Sequence, residues 1–226
     1  MVAQGPRRFA ERILGWLALA LGQGTLVAAL WLSPPEKMLG DTAGILYVHA
    51  GAAWAGYLAG ALCALFALLY LWRRQEGWDH LAVAAGEAGL LLCTVTLVTG
   101  SIWGRGVSGW WWDWNDMRLV LTLFLWFLYA GYLTLRQFTE GQRRARLSAV
   151  LALLGVPVML LNHFALTLWQ ARVHPNPVIL REGGPAASPT YVWLLLISFL
   201  AYSLLLAWML LARARLEALR DALEAR

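Results

Sequence analysis

Six apolar runs alternate with short polar connections along the chain: about Ile13 to Leu32, Gly44 to Trp72, Leu81 to Trp103, Leu119 to Phe138, Leu147 to Trp169 and Tyr191 to Ala212. Each is long enough to cross a hydrocarbon core of about 30 Å. In lipid the backbone must satisfy its own hydrogen bonds, and a helix does so within one segment. The pattern therefore predicts an all-α integral membrane protein with six transmembrane helices. The first run follows Arg7, Arg8 and Arg12. It is too long for a signal-peptide core and runs into Leu32-Ser33-Pro34-Pro35 with no small-residue cleavage pattern, so it is expected to remain as a span. Residues 1–212 form the expected membrane domain. Residues 213–226 follow as an amphipathic helical tail, with Leu216, Leu219 and Leu223 on one stripe. Pro157, inside the fifth run, predicts a kink.

Composition agrees with this reading: 60% of the 226 residues are hydrophobic and 14% charged, far from globular averages. The charges also orient the chain. The amino terminus, the second and fourth connections and the tail hold 13 of the 18 Lys and Arg residues. Because basic residues collect on the cytoplasmic side, both termini are expected there, and the loop between spans three and four is expected outside. The net charge of +5 is thereby explained as membrane anchoring, and nothing calls for nucleic acid. Cys63 and Cys93 fall inside spans, and no CxxC or CxxCH occurs, which removes thioredoxin-like and covalent c-haem readings. A disulfide between neighbouring helices stays open.

Candidate chemistry gathers on the outer side. Between Trp103 and Trp114, five of the fourteen tryptophans fall within twelve residues, and this stretch is expected to leave the helix as an outer loop of about 100–118. Aromatic belts account for one or two interfacial tryptophans, but not for Trp103, Trp110, Trp111, Trp112 and Trp114 together. If residues 109–114 are helical, they form an amphipathic helix lying in the interface. Topology sets two of the four histidines at the depth of this loop: His49, near the outer end of span two, and His174, just beyond span five. His80 borders the cytoplasmic side, and His163 is placed in the middle of span five. Alone, an intramembrane histidine is more often a hydrogen-bonded or proton-carrying residue. Two imidazoles beside a flat aromatic surface suit axial ligation of a haem iron and stacking of its ring. Arg105, Arg118 and Arg172 are cations able to pair with propionates, although Arg118 could equally be a snorkelling interfacial residue. His49, Ala52 or Ala53, Gly56 and Gly60 share a helix face with little bulk, which suits close helix packing or a flat ligand. Glu87, near the cytoplasmic end of span three, receives no role. Proline and glycine mark residues 170–189 as a second outer loop.

At these residues the chain resembles a known family. Thr99-Gly100-Ser101-Ile102-Trp103-Gly104, Gly109, Trp111-Trp112, Trp114 and Arg118-Leu119 are similar to the tryptophan-rich signature of the haem-handling membrane proteins of cytochrome c biogenesis. Six spans and a histidine on each side of the loop match the short subfamily called cytochrome c maturation protein C, or haem exporter protein C. The motif acid corresponds to Asn115 or, with one inserted residue, to the preferred Asp116. Gly106 and Ser108 stand where the family often has Pro and Trp. The resemblance implies that haem b is ligated by His49 and His174 and laid against Trp103, Gly104, Trp110, Trp111, Trp112, Trp114, Asp116 and Arg118. It further implies delivery, without catalysis, to a periplasmic haem chaperone that captures a vinyl group covalently. The implied setting is the bacterial inner membrane, in a complex with an ABC transporter membrane subunit, its ATPase and a small single-span subunit. The alternative is a membrane b-type cytochrome carrying electrons between quinone and an outer partner. That role favours a second pair of histidines at another depth, and His80 and His163 do not supply one.

Overall fold

A computed structural model describes residues 4–32, 43–169 and 188–224, and among these residues there is no strand. The helices are α1 (Gln4–Val27), prolonged by a π-helical turn at Ala28–Leu32, α2 (Ala43–Arg73), α3 (Glu76–Ser108), α4 (Met117–Gln137), α5 (Gly141–His163), α6 (Ala165–Trp169) and α7 (Pro189–Glu224). Six of them are long and apolar enough to cross a membrane, as the hydropathy pattern predicts. His174, Arg172, Arg181 and the rest of the second outer loop lie outside the described residues, apart from the loop's last two, Ser188 and Pro189.

Small side chains make the centre. Ala52, Ala55, Ala59 and Cys63 of α2 meet Val83, Ala84, Ala85, Ala88 and Leu92 of α3, all buried, with Leu206 and Leu210 closing from α7. Without a hydrophobic drive between helices in lipid, such residues let backbones approach until dispersion contacts accumulate. The small-residue face of α2 is used in this way: Gly56 lies against Leu92 and Cys93, and Gly60 against Tyr129 and Met159. Both cysteines are buried free thiols, so the disulfide left open by the sequence is absent.

Three boundaries differ from the sequence reading. First, α3 runs through Trp103, Gly104 and Gly106 to Ser108, so the loop proper is residues 109–116 and not 100–118. The two glycines do not end the helix, because a helix inside a packed bundle tolerates them. The helix stops at Gly109, which adopts the left-handed conformation (φ 82°) and donates its N–H to the Arg105 carbonyl. A residue with a Cβ pays a penalty there. Second, residues 109–114 are not helical, so the interfacial-helix reading falls. Third, α5 ends at His163, and Ala165–Trp169 is a separate short helix. His163 is thus at the end of its span, not in the middle.

The expected tail is not separate from the bundle at its start. α7 continues without a break to Glu224. The Arg213 guanidinium grips Glu87 of α3 at 2.5 and 2.8 Å and donates to Glu217 at 2.5 Å, while Arg215 pairs with Glu11 of α1 at 2.6 Å. Glu87, given no role from sequence, is therefore half of an interhelical ion pair. A second such pair links Arg136 of α4 bidentately to Asp79 of α3 at 2.8 and 2.7 Å.

Candidate functional site

At the tryptophan-loop end, His49 of α2 turns its ring onto α3. Its Nδ1 lies 3.1 Å from the Thr96 carbonyl oxygen and 3.2 Å from Thr99 Oγ1. A carbonyl only accepts, so Nδ1 carries the proton. In a neutral imidazole Nε2 then bears the lone pair, the form in which histidine ligates a metal. Gly100 provides the room. A Cβ built there would come within 2.9 Å of His49 Cε1, closer than real side chains approach. We expect Gly100→Ala to push the imidazole out of register while the chain still folds, as a shift of the His49 ring resonances of the purified protein in detergent would show.

The next turns of α3 carry the aromatic loop. Trp103 is 4% exposed and packs with Ala29, Leu46, Tyr47, Tyr191 and Leu195, so it serves the fold and not an open surface. Gly104 is buried as well. Trp110, Trp111 and Trp114 are instead 71%, 60% and 70% exposed. Trp112 tucks inward, edge-on to Trp114 with ring centroids 5.5 Å apart, and its buried indole N–H has no hydrogen-bond partner among the described residues. Short local bonds stiffen this segment. Ser108 Oγ donates to the Gly104 carbonyl at 2.7 Å, the Arg105 guanidinium donates to the Gly109 carbonyl, and the Asn115 backbone and side-chain amides both donate to Asp113 Oδ1.

Asp116, the preferred motif acid, is 1% exposed and caps α4: its Oδ1 accepts from the Arg118 and Leu119 backbone N–H groups at 3.0 and 3.4 Å. Such a cap satisfies donors that a helix start leaves open. Asn115 is exposed. Arg118 is half-buried, and its backbone carbonyl takes a hydrogen bond from Asn162 Nδ2 at 3.1 Å.

Asn162 was missed by the sequence reading, as was Tyr57. Asn162 Nδ2 also donates to Thr122 Oγ1 at 2.8 Å, and its Oδ1 accepts from Tyr57 Oη at 2.5 Å, so this buried amide ties α2, α4 and α5 together. A lone Asn in the fifth apolar run was the available signal, since an amide in lipid needs partners. The same bonds set the height of His163. Trp126 Nε1 donates to Thr94 Oγ1 at 2.8 Å, fixing α4 beside α3. From there Arg118 lies about 12 Å toward the loop, and Thr96 to Gly100 about 3 to 9 Å, at 1.5 Å per residue. His163, next to Asn162, is consequently held beside Tyr57, which is eight residues, about 12 Å, from His49 along α2. Its side chain is exposed, edge-on to Tyr57 and Phe164.

The described residues therefore define a polytopic membrane protein with a stiff, tryptophan-bearing loop and a hydrogen-bonded histidine on the helix beside it. The chain belongs to the family described as Heme exporter protein C, which matches residues 4–226. Relatives of that name include one from Paracoccus denitrificans, 30% identical over 221 residues that span 96% of this chain and 91% of the relative. Another, from Bradyrhizobium diazoefficiens, is 32% identical over 95% of this chain and 83% of its own length, and one from Escherichia coli is 32% identical over 88% and 81%. Together with the six apolar helices, membership makes this a multi-pass inner-membrane protein with a part in haem export and cytochrome c maturation.

Proposed function

We propose that the chain holds haem b as cargo at the tryptophan-loop face, with His49 and His174 as axial ligands, and presents it to a periplasmic haem chaperone. The observation that carries this reading is the His49 imidazole, whose Nδ1 proton is engaged by the Thr96 carbonyl and whose ring lies in a space kept open by Gly100. Both features fit a haem ligand. A metal-binding imidazole needs its other nitrogen anchored, and a ring held between two helices resists rotation. The buried Trp112 N–H, a donor without an acceptor among the described residues, fits the same face.

Haem supplies an iron that takes two axial nitrogens and a flat, apolar macrocycle. The chain does the rest. His49 supplies one nitrogen in a fixed tautomer. His174 supplies the other in this proposal, by its place in the motif and at the outer end of span five. Trp110, Trp111 and Trp114 offer exposed apolar rings against which a flat molecule packs, and Arg118 offers a guanidinium for a propionate. The positive-inside distribution turns this face outward. Release then depends on other proteins, which we propose to be an ABC transporter membrane subunit, its ATPase and a small single-span subunit. Nothing here requires a covalent step on this chain, which fits delivery and not catalysis.

The deciding measurement is the visible spectrum of the full-length chain, purified in detergent and supplied with ferric haem b. The expected result is a six-coordinate, low-spin spectrum at one haem per chain. A chain that binds no haem, or binds it without nitrogen ligation, overturns the proposal.

A further inference from the structure

We infer that Thr99 is a positioning residue for the haem ligand, sharing the Nδ1 proton of His49 with the Thr96 carbonyl and thereby setting the plane and donor strength of the imidazole. The inference rests on the proposed ligation by His49.

The hydroxyl of Thr99 has one hydrogen, and it is already committed: Oγ1 donates to the Val95 carbonyl at 2.6 Å. Only lone pairs remain to face His49 Nδ1 at 3.2 Å, so toward the histidine Thr99 acts as an acceptor. The back-bond to Val95 also fixes the rotamer of a β-branched side chain that is already stiff. The Thr96 carbonyl stands 3.1 Å from the same nitrogen. One N–H thus faces two acceptors one helical turn apart on α3, and a rotation of the ring costs both contacts at once.

Adjacent to Thr99, Gly100 removes the side chain that would collide with His49 Cε1. The segment from Thr96 to Gly100 therefore makes a three-part cradle: a carbonyl, a hydroxyl and a gap. Acceptors at Nδ1 draw the proton away from the ring, enrich Nε2 in electron density and favour the ferric over the ferrous iron. This is one of the ordinary means by which a protein tunes a haem. A carbonyl alone satisfies the proton. The hydroxyl adds a second pull and a second angular constraint, and it does so without a charge inside the membrane.

The test compares Thr99→Val, close in shape but lacking the hydroxyl, with Thr99→Ser, which restores it. Both are made in the full-length chain in detergent and supplied with ferric haem b, beside His49→Ala. Thr99→Val is expected to bind haem about ten-fold more weakly, the low end of what such outer partners contribute. It is also expected to raise the haem reduction potential, with both values returned toward the parent by Thr99→Ser. A purely packing role for Thr99 predicts that valine leaves the potential unmoved. An unmoved potential and affinity in Thr99→Val, alongside haem loss in His49→Ala, overturns the inference and leaves the ligation standing. Unchanged haem in His49→Ala overturns the ligation and the inference together. Should valine not be tolerated in the fold, Thr99→Ala against Thr99→Ser carries the same comparison, with equal potentials overturning the inference.

Discussion

The His49→Ala chain is expected to lose its low-spin haem spectrum almost completely, whereas His163→Ala is expected to keep it. His163 ends α5, so its position in the span does not by itself decide between them. Orientation does. The His49 ring is drawn inward onto α3 by the Thr96 carbonyl and Thr99 hydroxyl, while His163 presents an exposed ring beside Tyr57 and Phe164. An imidazole already anchored through one nitrogen pays little entropy to ligate through the other; an unanchored one pays more. Adding free imidazole to the His49→Ala protein should restore a nitrogen-ligated spectrum, because the cavity vacated by the side chain has the right size and its Thr acceptors remain. A His163→Ala chain that loses haem while His49→Ala retains it reverses the assignment. His174→Ala is expected to behave like His49→Ala, and its normal spectrum would leave the second ligand to be found elsewhere.

The second large effect concerns stability and not haem. Arg136→Ala should destabilise the fold by about 3–5 kcal/mol, the usual cost of removing one partner from a buried ion pair. The Arg136 and Asp79 side chains are only 8% and 10% exposed, and the guanidinium also lies 5.8 Å from the centre of the Tyr132 ring. Alanine would leave the largely buried Asp79 carboxylate between α3 and α4 without its bidentate partner. Replacing both partners by leucine should recover most of the loss, since the penalty comes from an uncompensated charge. Denaturant unfolding in detergent measures both variants, and a change below about 1 kcal/mol for Arg136→Ala would mean that the carboxylate is hydrated. Haem binding should be nearly unaffected at this distance from the loop, which separates the effect from that of His49.

What the sequence disclosed follows from the physics of lipid. Continuous apolar runs are a strong signal, and all six membrane-length helices among the described residues were visible in them. Their ends were not, because a bundle overrides local propensity: Gly104 and Gly106 stay helical in α3, and the fifth apolar run continues six residues past the end of α5 at His163. Arg136 and Arg213 were counted as markers of topology. Their partners Asp79 and Glu87 could not be assigned, since linear spacing says nothing about which helices are neighbours. Tyr57 and Asn162, 105 positions apart, were hidden for the same reason. On the tryptophan loop, density on the chain suggested one platform of five rings. The fold divides it into a buried anchor, Trp103, an inward Trp112 and three exposed rings.

One helix ties these parts together. α3 carries the acceptors of His49 at Thr96 and Thr99, and it ends in the tight turn at Gly109 from which the exposed tryptophans project. Thr99 and Ser108 stand about 13 Å apart on a single stiff rod. A partner that grasped the loop and tilted that rod relative to α2 would draw the acceptors away from the imidazole. Under the proposed ligation, the hold on haem would thus be mechanically addressable from the loop, with docking and loosening a single motion.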